Sequence, residues 1–139
     1  MELGMLGTRR AVCVDADQTV EAACFAMRQQ KIDRVVVMQR SGAASAPLGI
    51  LSASNIVTRV VALGLDASAV TVSDLLWAAP ARARVSDTLP QALERLSAAG
   101  ADALPVVDSD DRLIGVVSLE DLLVALAAIA IPRVHRIRR

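Results

Sequence analysis

The sequence predicts an α/β fold in which two β-α-β-β-α repeats pack about a pseudo-two-fold axis. The first observation is a motif that occurs twice, as GILSASNIV at 49–57 and as GVVSLEDLL at 115–123. Both copies read glycine, two apolar residues, serine, two variable residues, an amide or acid, and two apolar residues. The second observation is that residues 18–38 and 87–107, upstream of these motifs, align in the same order. Because internal repeats indicate repeated structural units, the pattern predicts a duplicated fold.

The spacing between the two halves supports this alignment. The upstream blocks are 69 positions apart, whereas the motifs are 66 positions apart. The difference falls between the blocks, where the first half has QRSGAASAP and the second has the shorter DSDDR. Insertions of this kind are typical of exposed loops.

The elements of the first half follow from local patterns. Apolar residues recur at helical spacing from Val20 to Met27, and apolar runs bounded by turn residues indicate strands. A helix is expected to end near Gly64, because glycine readily adopts the left-handed conformation found there. We predict, in order, a strand at Val12–Val14, a helix over 18–29 with Asp17 as N-cap, a strand at Val35–Met38, a turn through SGAASAP, a strand at Leu48–Leu51 and a helix over 53–63.

The second half repeats this order of elements. Pro90 lies in the first turn of its first helix, where proline is tolerated. The last helix is expected to end before Pro132, which lacks a backbone donor. We predict, in order, a strand at Arg82–Arg84, a helix over 88–98 capped by Ser86 or Asp87 and ended by Gly100, a strand at Leu104–Val107, a turn at Asp108–Asp111, a strand at Leu113–Val117 and a helix over 119–130.

The two halves are interpreted as one module over 1–139, because a half of about 65 residues would be marginally stable alone. Within the segment that joins the halves, Val72–Leu76 is predicted as a short helix capped by Ser73 or Asp74, and Trp77 as a packing anchor. The predicted parts are a first repeat at 8–63, a linker at 64–80, a second repeat at 81–131 and a basic tail at 132–139.

Composition excludes several classes of function. The 139 residues hold 15 basic and 15 acidic side chains, and this balance argues against a general polyanion binder. Phe25 and Trp77 are the only aromatic residues, which are too few for a platform that stacks single-stranded nucleic acid. The longest apolar run, 122–131, is half of the roughly 20 residues that a spanning helix needs. No signal-peptide pattern occurs at the N-terminus, so we expect a soluble, cytoplasmic protein.

Catalytic and metal-binding patterns are also missing from the sequence. There is no phosphate-binding glycine loop, dinucleotide fingerprint or nucleophile elbow, and His135 is the single histidine. Cys13 and Cys24 lack metal-ligand spacing, and the aspartates of 108–111 are interpreted as a turn. We therefore expect neither an enzyme nor a metal site.

The repeated motifs carry a resemblance to a known family. G-h-h-S-x-x-[DN]-h closes each half, Thr-Val or Thr-Leu opens each first helix, and LPVV stands at 104–107. Together they resemble a tandem pair of cystathionine-β-synthase (CBS) domains, a Bateman module, over roughly 8–130. The resemblance implies a regulatory module that binds AMP, ADP, ATP or S-adenosylmethionine in clefts between its repeats. It also implies a disc-like homodimer and a protein effector, whose identity the sequence does not give.

The resemblance assigns the binding residues by position. In the second repeat it implies that Ser118 and Asp121 hold the ribose and phosphate. Asn55 takes the place of that acid in the first repeat, and an amide accepts weaker hydrogen bonds than a carboxylate. The other implied residues are Leu104, Pro105, Val106 and Arg82 in the second repeat, and Ser52, Val35, Val36, Val37 and Cys13 in the first. Arg82 stands near the base position and either clashes with a base or meets a phosphate.

The same residues have a structural interpretation. Ser-x-x-Asp at the start of a helix is close to a capping box, so Ser118 and Asp121 are also expected to stabilise the helix N-terminus. This role is compatible with ligand binding. At Ser52 and Asn55 the capping role is favoured.

Three functional hypotheses follow. The first is a stand-alone nucleotide-sensing module. The second is a ligand-free structural module that dimerises through the apolar run 122–131, since exposed apolar patches mark interfaces. The third is a nucleic-acid-linked protein that uses the arginines of the tail at 132–139, although that tail is also typical of a solvated chain end.

Overall fold

The computed structural model describes the backbone of residues 1–7, 10–41, 44–76 and 81–138. Trp77, predicted as a packing anchor, lies outside the described residues, as do the side chains of the basic tail. The elements are α1 (Leu3–Leu6), β1 (Cys13–Asp15), α2 (Val20–Gln30), β2 (Arg34–Ser41), β3 (Ala44–Ser52), α3 (Ala53–Ile56) continued by a π-helical turn (Val57–Val61), a 3₁₀ helix (Val72–Leu75), β4 (Ala83–Arg84), α4 (Leu89–Ala99), β5 (Ala103–Val107), β6 (Leu113–Ser118) and α5 (Leu119–Arg138).

The strands form two three-stranded sheets of the same topology. In each sheet the first strand pairs in parallel with the second, and the second pairs antiparallel with the third. The strand orders are therefore β1-β2-β3 and β4-β5-β6. The predicted α/β fold with two β-α-β-β-α repeats is confirmed.

Each repeat has its own aliphatic core, and a third cluster lies between the sheets. Val36 of β2 packs there with Ala103 of β5 and Val116 of β6, and Ile50 of β3 lies against them. This cluster holds the sheets face to face, and the clefts described below lie on either side of it. Among the described residues no helix is both long and apolar enough to cross a membrane.

The segments that lead into the repeats are exchanged between them. Glu2 bridges to Thr88 of the second repeat, and Thr71 bridges to Thr19 of the first. The N–H of Leu3 donates to the Asp87 carbonyl at 2.7 Å. Leu3 is fully buried in the core of the second repeat. Helix α1 was not predicted, and this docking against the second repeat is what orders it.

The predicted helix caps were wrong. Thr19, not Asp17, caps α2, and its hydroxyl oxygen accepts from the N–H of Ala22 at 3.1 Å. Thr88, and neither Ser86 nor Asp87, caps α4 in a box with Gln91. The cap must be the extended residue directly before the first helical turn, and each of these helices begins later than predicted.

The short linker helix has a different cap from the predicted one. Thr71 is its N-cap, and the carboxylate of Asp74 accepts from the N–H of Thr71 at 3.2 Å. Asp74 thus takes part in the capping box from inside the helix, and Ser73 is not the cap. Pairing of Thr71 with Thr19 fixes the extended backbone that the cap position needs.

Two predicted chain breaks were also wrong. Most of the SGAASAP segment belongs to a long hairpin, because β2 runs to Ser41 and β3 begins at Ala44, with Gly42 and Ala43 outside the described residues. Small residues fit such a ladder when their backbones are paired. Helix α5 continues through Pro132 to Arg138. A proline removes a single backbone donor, and a helix that is otherwise bonded on both sides can bend and continue.

The last helix of the first repeat changes type along its length. The N–H of Ala62 donates to the Val57 carbonyl at 2.8 Å, and the N–H of Leu65 donates to the Val60 carbonyl at 3.0 Å. Both bonds span five residues, which defines a π-helical turn. The sequence predicted one regular helix over 53–63. Its predicted end is confirmed, since Gly64 has a left-handed φ of 69°.

Candidate functional site

Two clefts lie between the repeats. Cleft one has a volume of about 570 Å³, and cleft two about 700 Å³. Cleft one is lined by residues 10–12, 32–36 and 50 of the first repeat and by residues 102, 116, 118–120, 123 and 124 of the second. Cleft two is lined by residues 48–50, 52, 54, 55 and 59 of the first repeat, by 73, 75, 76 and 81, and by 99–104 of the second.

Each cleft combines the central strand of one repeat with the closing motif of the other. In cleft one, Val35 and Val36 of β2 lie across from Ser118. In cleft two, Leu104 of β5 lies across from Ser52 and Asn55. The residues implied for each repeat thus line different clefts, and their roles in ligand binding stay predictions. The sheets face each other, so the start of α5 opens toward β2 and the start of α3 toward β5.

Six of the residues implied by the resemblance are not in the lining of either cleft. Val37 and Val106 point into the cores of their own repeats, since side chains of successive strand residues face opposite sides. Pro105 is buried as well, within β5. Cys13 is exposed. The pKa of its thiol is raised, chiefly by desolvation and to a smaller extent by the negative charge of Asp15.

Arg82 lies against the β5–β6 turn and not in a cleft. Its Nη1 is 3.7 Å from a carboxylate oxygen of Asp111, whose other cationic partner is Arg84 at 3.0 Å. The role implied for Arg82 beside a base or a phosphate stays a prediction. The backbone of Ala81, one residue earlier, reaches cleft two instead.

Asp121 forms the predicted capping contacts. The N–H of Asp121 donates to the Ser118 hydroxyl oxygen at 3.1 Å, and the N–H of Ser118 approaches the Asp121 carboxylate at 3.4 Å. Asp121 lines a depression of about 690 Å³ between α1 and α5, which we call the outer depression. This depression shares Glu120 and Val124 with cleft one, so the carboxylate lies at the outer end of the same surface.

Asn55 takes the equivalent position in the first repeat. Its Oδ1 accepts from the N–H of Ser52 at 3.1 Å, and its N–H donates to the Ser52 hydroxyl oxygen at 3.1 Å. The capping role favoured by the sequence is therefore present. Unlike Asp121, Asn55 is part of the lining of its cleft.

Charged residues that the sequence analysis did not select also line the clefts. Arg34 lies in cleft one, 3.5 Å from Asp33 and 3.8 Å from Asp102, so it joins the first repeat to the second. Asp102 lines both clefts. The signal was present in the aligned repeats, because Arg34 is matched by Ala103.

Arg59 is the cation of cleft two. Its Nη1 donates to the Leu75 carbonyl at 2.8 Å, which fixes the guanidinium beside the 3₁₀ helix. Burial lowers the pKa of Arg59. An arginine side chain nevertheless stays protonated in proteins. Over the described part of the chain, no three histidine, cysteine or acidic side chains are grouped to hold a metal ion.

A family model for the CBS domain matches residues 3–62 and 70–128, which correspond to the two repeats. The chain belongs to the CBS domain family. The sequence resemblance is thereby confirmed, and the two matches make the chain a tandem CBS pair. The matched ranges begin with the two exchanged lead-in segments, at Leu3 and Val70.

Two curated proteins are related to the CBS pair in sequence. It is 36% identical over 108 residues to the meiotically up-regulated gene 70 protein of Schizosaccharomyces pombe, which covers 78% of this chain and 14% of that protein. It is 24% identical over 123 residues to the uncharacterized protein MK0525 of Methanopyrus kandleri, covering 88% of this chain and 61% of that protein. The chain therefore spans less than two thirds of the length of either curated relative.

A solved structure shares the fold of the CBS pair. The CBS domain protein PAE2072 from Pyrobaculum aerophilum, solved in complex with AMP, superposes with a TM-score of 0.76 at 21% identity. The superposition covers 92% of this chain and 99% of that one. At this level of identity the likeness establishes the fold.

Proposed function

We propose that this CBS pair is a non-catalytic regulatory module that binds an adenine nucleotide between its repeats. The observation that carries the proposal is the pair of clefts, each walled by both repeats. Their volumes fall within the roughly 300–1,000 Å³ typical of sites for small ligands. The AMP complex of the PAE2072 protein, which has the same fold, supports an adenine nucleotide as the class of ligand.

Cleft one offers the groups that a nucleoside needs. Val36, Ile50 and Val116 of the cluster between the sheets, with the backbone of Val35, form an apolar wall against which a planar base can lie. Ser118 supplies a hydroxyl group at one end of this surface. Asp121, in the adjoining outer depression, supplies a carboxylate that is suited to accept hydrogen bonds from ribose hydroxyls.

A ligand in either cleft would touch both repeats and so report on their arrangement. Regulation then requires that the ligand bind one arrangement more tightly than another. The Arg34–Asp102 ion pair crosses between the repeats beside the ligand surface, so a bound phosphate would compete with Asp102 for the guanidinium. In this proposal the resulting change in repeat geometry is passed to an effector protein.

We further propose that the CBS pair acts as a homodimer. Large apolar side chains are exposed on the two helices that close the repeats, including Val57 and Val61 after α3 and Leu123 and Val124 on α5. Such a patch is unusual on an isolated protein surface and is typical of an interface. Val57 and Leu123 correspond in the two repeats, so the patch has the internal symmetry that a two-fold dimer can use.

The proposal is tested by thermal denaturation of the purified protein with AMP, ADP, ATP, S-adenosylmethionine and adenosine. A ligand present at 100 times its dissociation constant stabilises the folded state by about 2.7 kcal/mol. We expect a clear rise in melting temperature with at least one adenine nucleotide and none with the matching uridine nucleotide. Equal shifts with both, or no shift with any adenine compound in a folded sample, would refute the proposal.

A second candidate function is a ligand-free structural module. The capping boxes at Ser52–Asn55 and at Ser118–Asp121 favour it, because they account for all four side chains without a ligand. This candidate predicts a stable dimer whose melting temperature is indifferent to every compound in the panel. The same experiment therefore separates the two functions.

A further inference from the structure

The two clefts differ in charge at corresponding positions. The closing motifs align 66 positions apart, so Asn55 corresponds to Asp121 and Arg59 to Ala125. Beside cleft one the motif thus presents the carboxylate of Asp121 and the methyl group of Ala125. Beside cleft two it presents an amide and a guanidinium. An amide adds no negative charge and carries two N–H donors that a carboxylate lacks.

The helix that carries Arg59 also differs in backbone conformation from the corresponding helix of the second repeat. Residues 57–61 form the π-helical turn, whereas the corresponding residues 123–127 lie in the regular α-helix of α5. A π-helical turn rotates the side chains it carries relative to a regular helix, and such turns are frequent at functional sites. Here the side chain of Arg59 reaches the Leu75 carbonyl at 2.8 Å and forms part of the wall of cleft two.

The surrounding charges reinforce this difference. Of the described residues, cleft one and its outer depression are lined by four carboxylates and two guanidinium groups. Cleft two is lined by one of each, Asp102 and Arg59, together with the hydroxyl groups of Ser52, Ser54 and Ser73. An anion is therefore less repelled in cleft two, where hydroxyl groups are available as further donors.

We propose that cleft two is the anion-selective cleft of the pair, and that Arg59 contacts the phosphate groups of its ligand. The proposal deepens the proposed function, on which its adenine part rests. A guanidinium group matches phosphate oxygens with paired donors, and its bond to Leu75 holds it in place before the ligand arrives. Ligands that carry more phosphate are bound more tightly in this cleft, and the preference is weaker in cleft one with its outer depression, where carboxylates outnumber guanidinium groups.

Calorimetric titration with adenosine, AMP, ATP and inorganic tripolyphosphate tests the proposal. Arg59→Gln removes the charge, and Asn55→Asp adds a negative charge while keeping an acceptor for the Ser52 N–H. Arg28→Gln is the matched control, since Arg28 is exposed on α2 and outside both clefts. We expect Arg59→Gln and Asn55→Asp each to weaken ATP binding about tenfold or more, with adenosine binding unchanged. ATP binding, unlike adenosine binding, is also expected to weaken with added salt.

Failure of the anion preference is distinguishable from failure of the proposed adenine nucleotide binding. The anion preference is refuted if both variants leave the ratio of ATP to adenosine affinity at the wild-type value, or if Arg28→Gln lowers it equally. If no adenine compound binds, the proposed function fails. Tripolyphosphate binding that depends on Arg59 would then still support an anion cleft, and its absence would refute that as well. Should Arg59→Gln not fold, Asn55→Asp and the salt dependence decide the question.

Discussion

The Nε of Arg95 lies 2.7 Å from a carboxylate oxygen of Asp87, and Asp87 is only 6% exposed. The same oxygen accepts a hydrogen bond from the backbone N–H of Arg84 at 3.0 Å. The backbone carbonyl of Asp87 accepts from the N–H of Leu3 at 2.7 Å. Asp87 thus connects α4 to β4 through its side chain, and it connects both to the N-terminal segment through its backbone carbonyl.

Replacing this acid is expected to destabilise the protein. Asp87→Ala leaves the Arg84 N–H and the Arg95 guanidinium without their acceptor, and a lost hydrogen bond to a charged group costs about 1.5–3 kcal/mol. We expect a loss of that size in the free energy of unfolding, measured by urea denaturation. Asp110→Ala is the control, because Asp110 is exposed and its ion pair with Arg112 should contribute below about 1 kcal/mol. Equal losses in both variants would contradict the assigned role.

The exchanged N-terminal segment gives a second prediction. Leu3 is fully buried in the core of the second repeat, whereas Met5 on the same helix is 74% exposed. Leu3→Ala should lower the free energy of unfolding by about 2–5 kcal/mol, as for other buried leucines. Met5→Ala, its control, should change it by less than about 0.5 kcal/mol.

Hydrogen exchange would show which part of the fold is destabilised by Leu3→Ala. If α1 holds the second repeat together, Leu3→Ala should speed amide exchange in β4 and α4 more than in α2. A uniform increase over both repeats, or no change in stability, would show that the segment is not part of the second core.

The order of strands and helices could be predicted from the sequence because its signals are local. The runs Val35–Met38 and Leu104–Val107 lie inside β2 and β5, and apolar burial decides the conformation of such runs within a few residues. Because the sequence is repeated, each element could be predicted from two copies. Our boundaries for the two repeats, 8–63 and 81–131, stay predictions, and the lead-in segments that dock on the opposite repeats lie outside them.

Helix caps were missed because several neighbouring residues have the same chemistry. Asp17 and Thr19 are both capable of capping, and only the backbone conformation selects between them. The alignment contained the answer, since Thr19 and Thr88 are identical and both are the caps. The cap at Thr71 depends on its pairing with Thr19, a contact between segments far apart in sequence.

The clefts could be predicted only in part for a similar reason. The motif identified Ser52, Asn55 and Ser118, which do line clefts. Which strand faces each motif depends on how the two sheets pack, and no local pattern encodes that. Arg59 was missed because its direction depends on a π-helical turn that the apolar spacing does not reveal.

A pH dependence is expected from the turn between β5 and β6. The pKa of the Asp108 carboxyl lies below its usual value, chiefly because it accepts the N–H of Arg112; desolvation opposes this, and the N–H of Asp110 and the charge of Arg112 add smaller contributions. A lowered pKa in the folded state contributes stability that is present above the unfolded pKa of about 3.9 and is lost as the pH falls through the folded pKa. The difference in unfolding free energy between wild type and Asp108→Asn should therefore be larger at neutral pH than in acid. A difference that is independent of pH would contradict this.

The nucleotide role of Asp121 is separable from its capping role. Asp121→Asn keeps an oxygen that can accept the Ser118 N–H, as Asn55 does for Ser52, so the melting temperature without ligand should be nearly unchanged. It replaces a charged acceptor by a neutral one, and AMP affinity should fall roughly tenfold. Asp110→Asn makes the same change of charge on an exposed turn and should leave the affinity at the wild-type value. Loss of stability without loss of affinity would leave Asp121 with the capping role alone.

The homodimer is expected to depend on the apolar side chains of the two closing helices. Leu123 is 52% exposed and Val57 is 56% exposed, and a charge at either position would have to be desolvated in the interface. Leu123→Glu and Val57→Glu should each convert the dimer to a monomer in light scattering coupled to gel filtration, with the fold retained by circular dichroism. Phe25→Glu is the matched control, because Phe25 is an apolar side chain of similar exposure, 61%, on α2 and not on a closing helix. A monomeric wild type would refute the homodimer, and a dimer that survives both glutamates and is lost with Phe25→Glu would place the contact on another face.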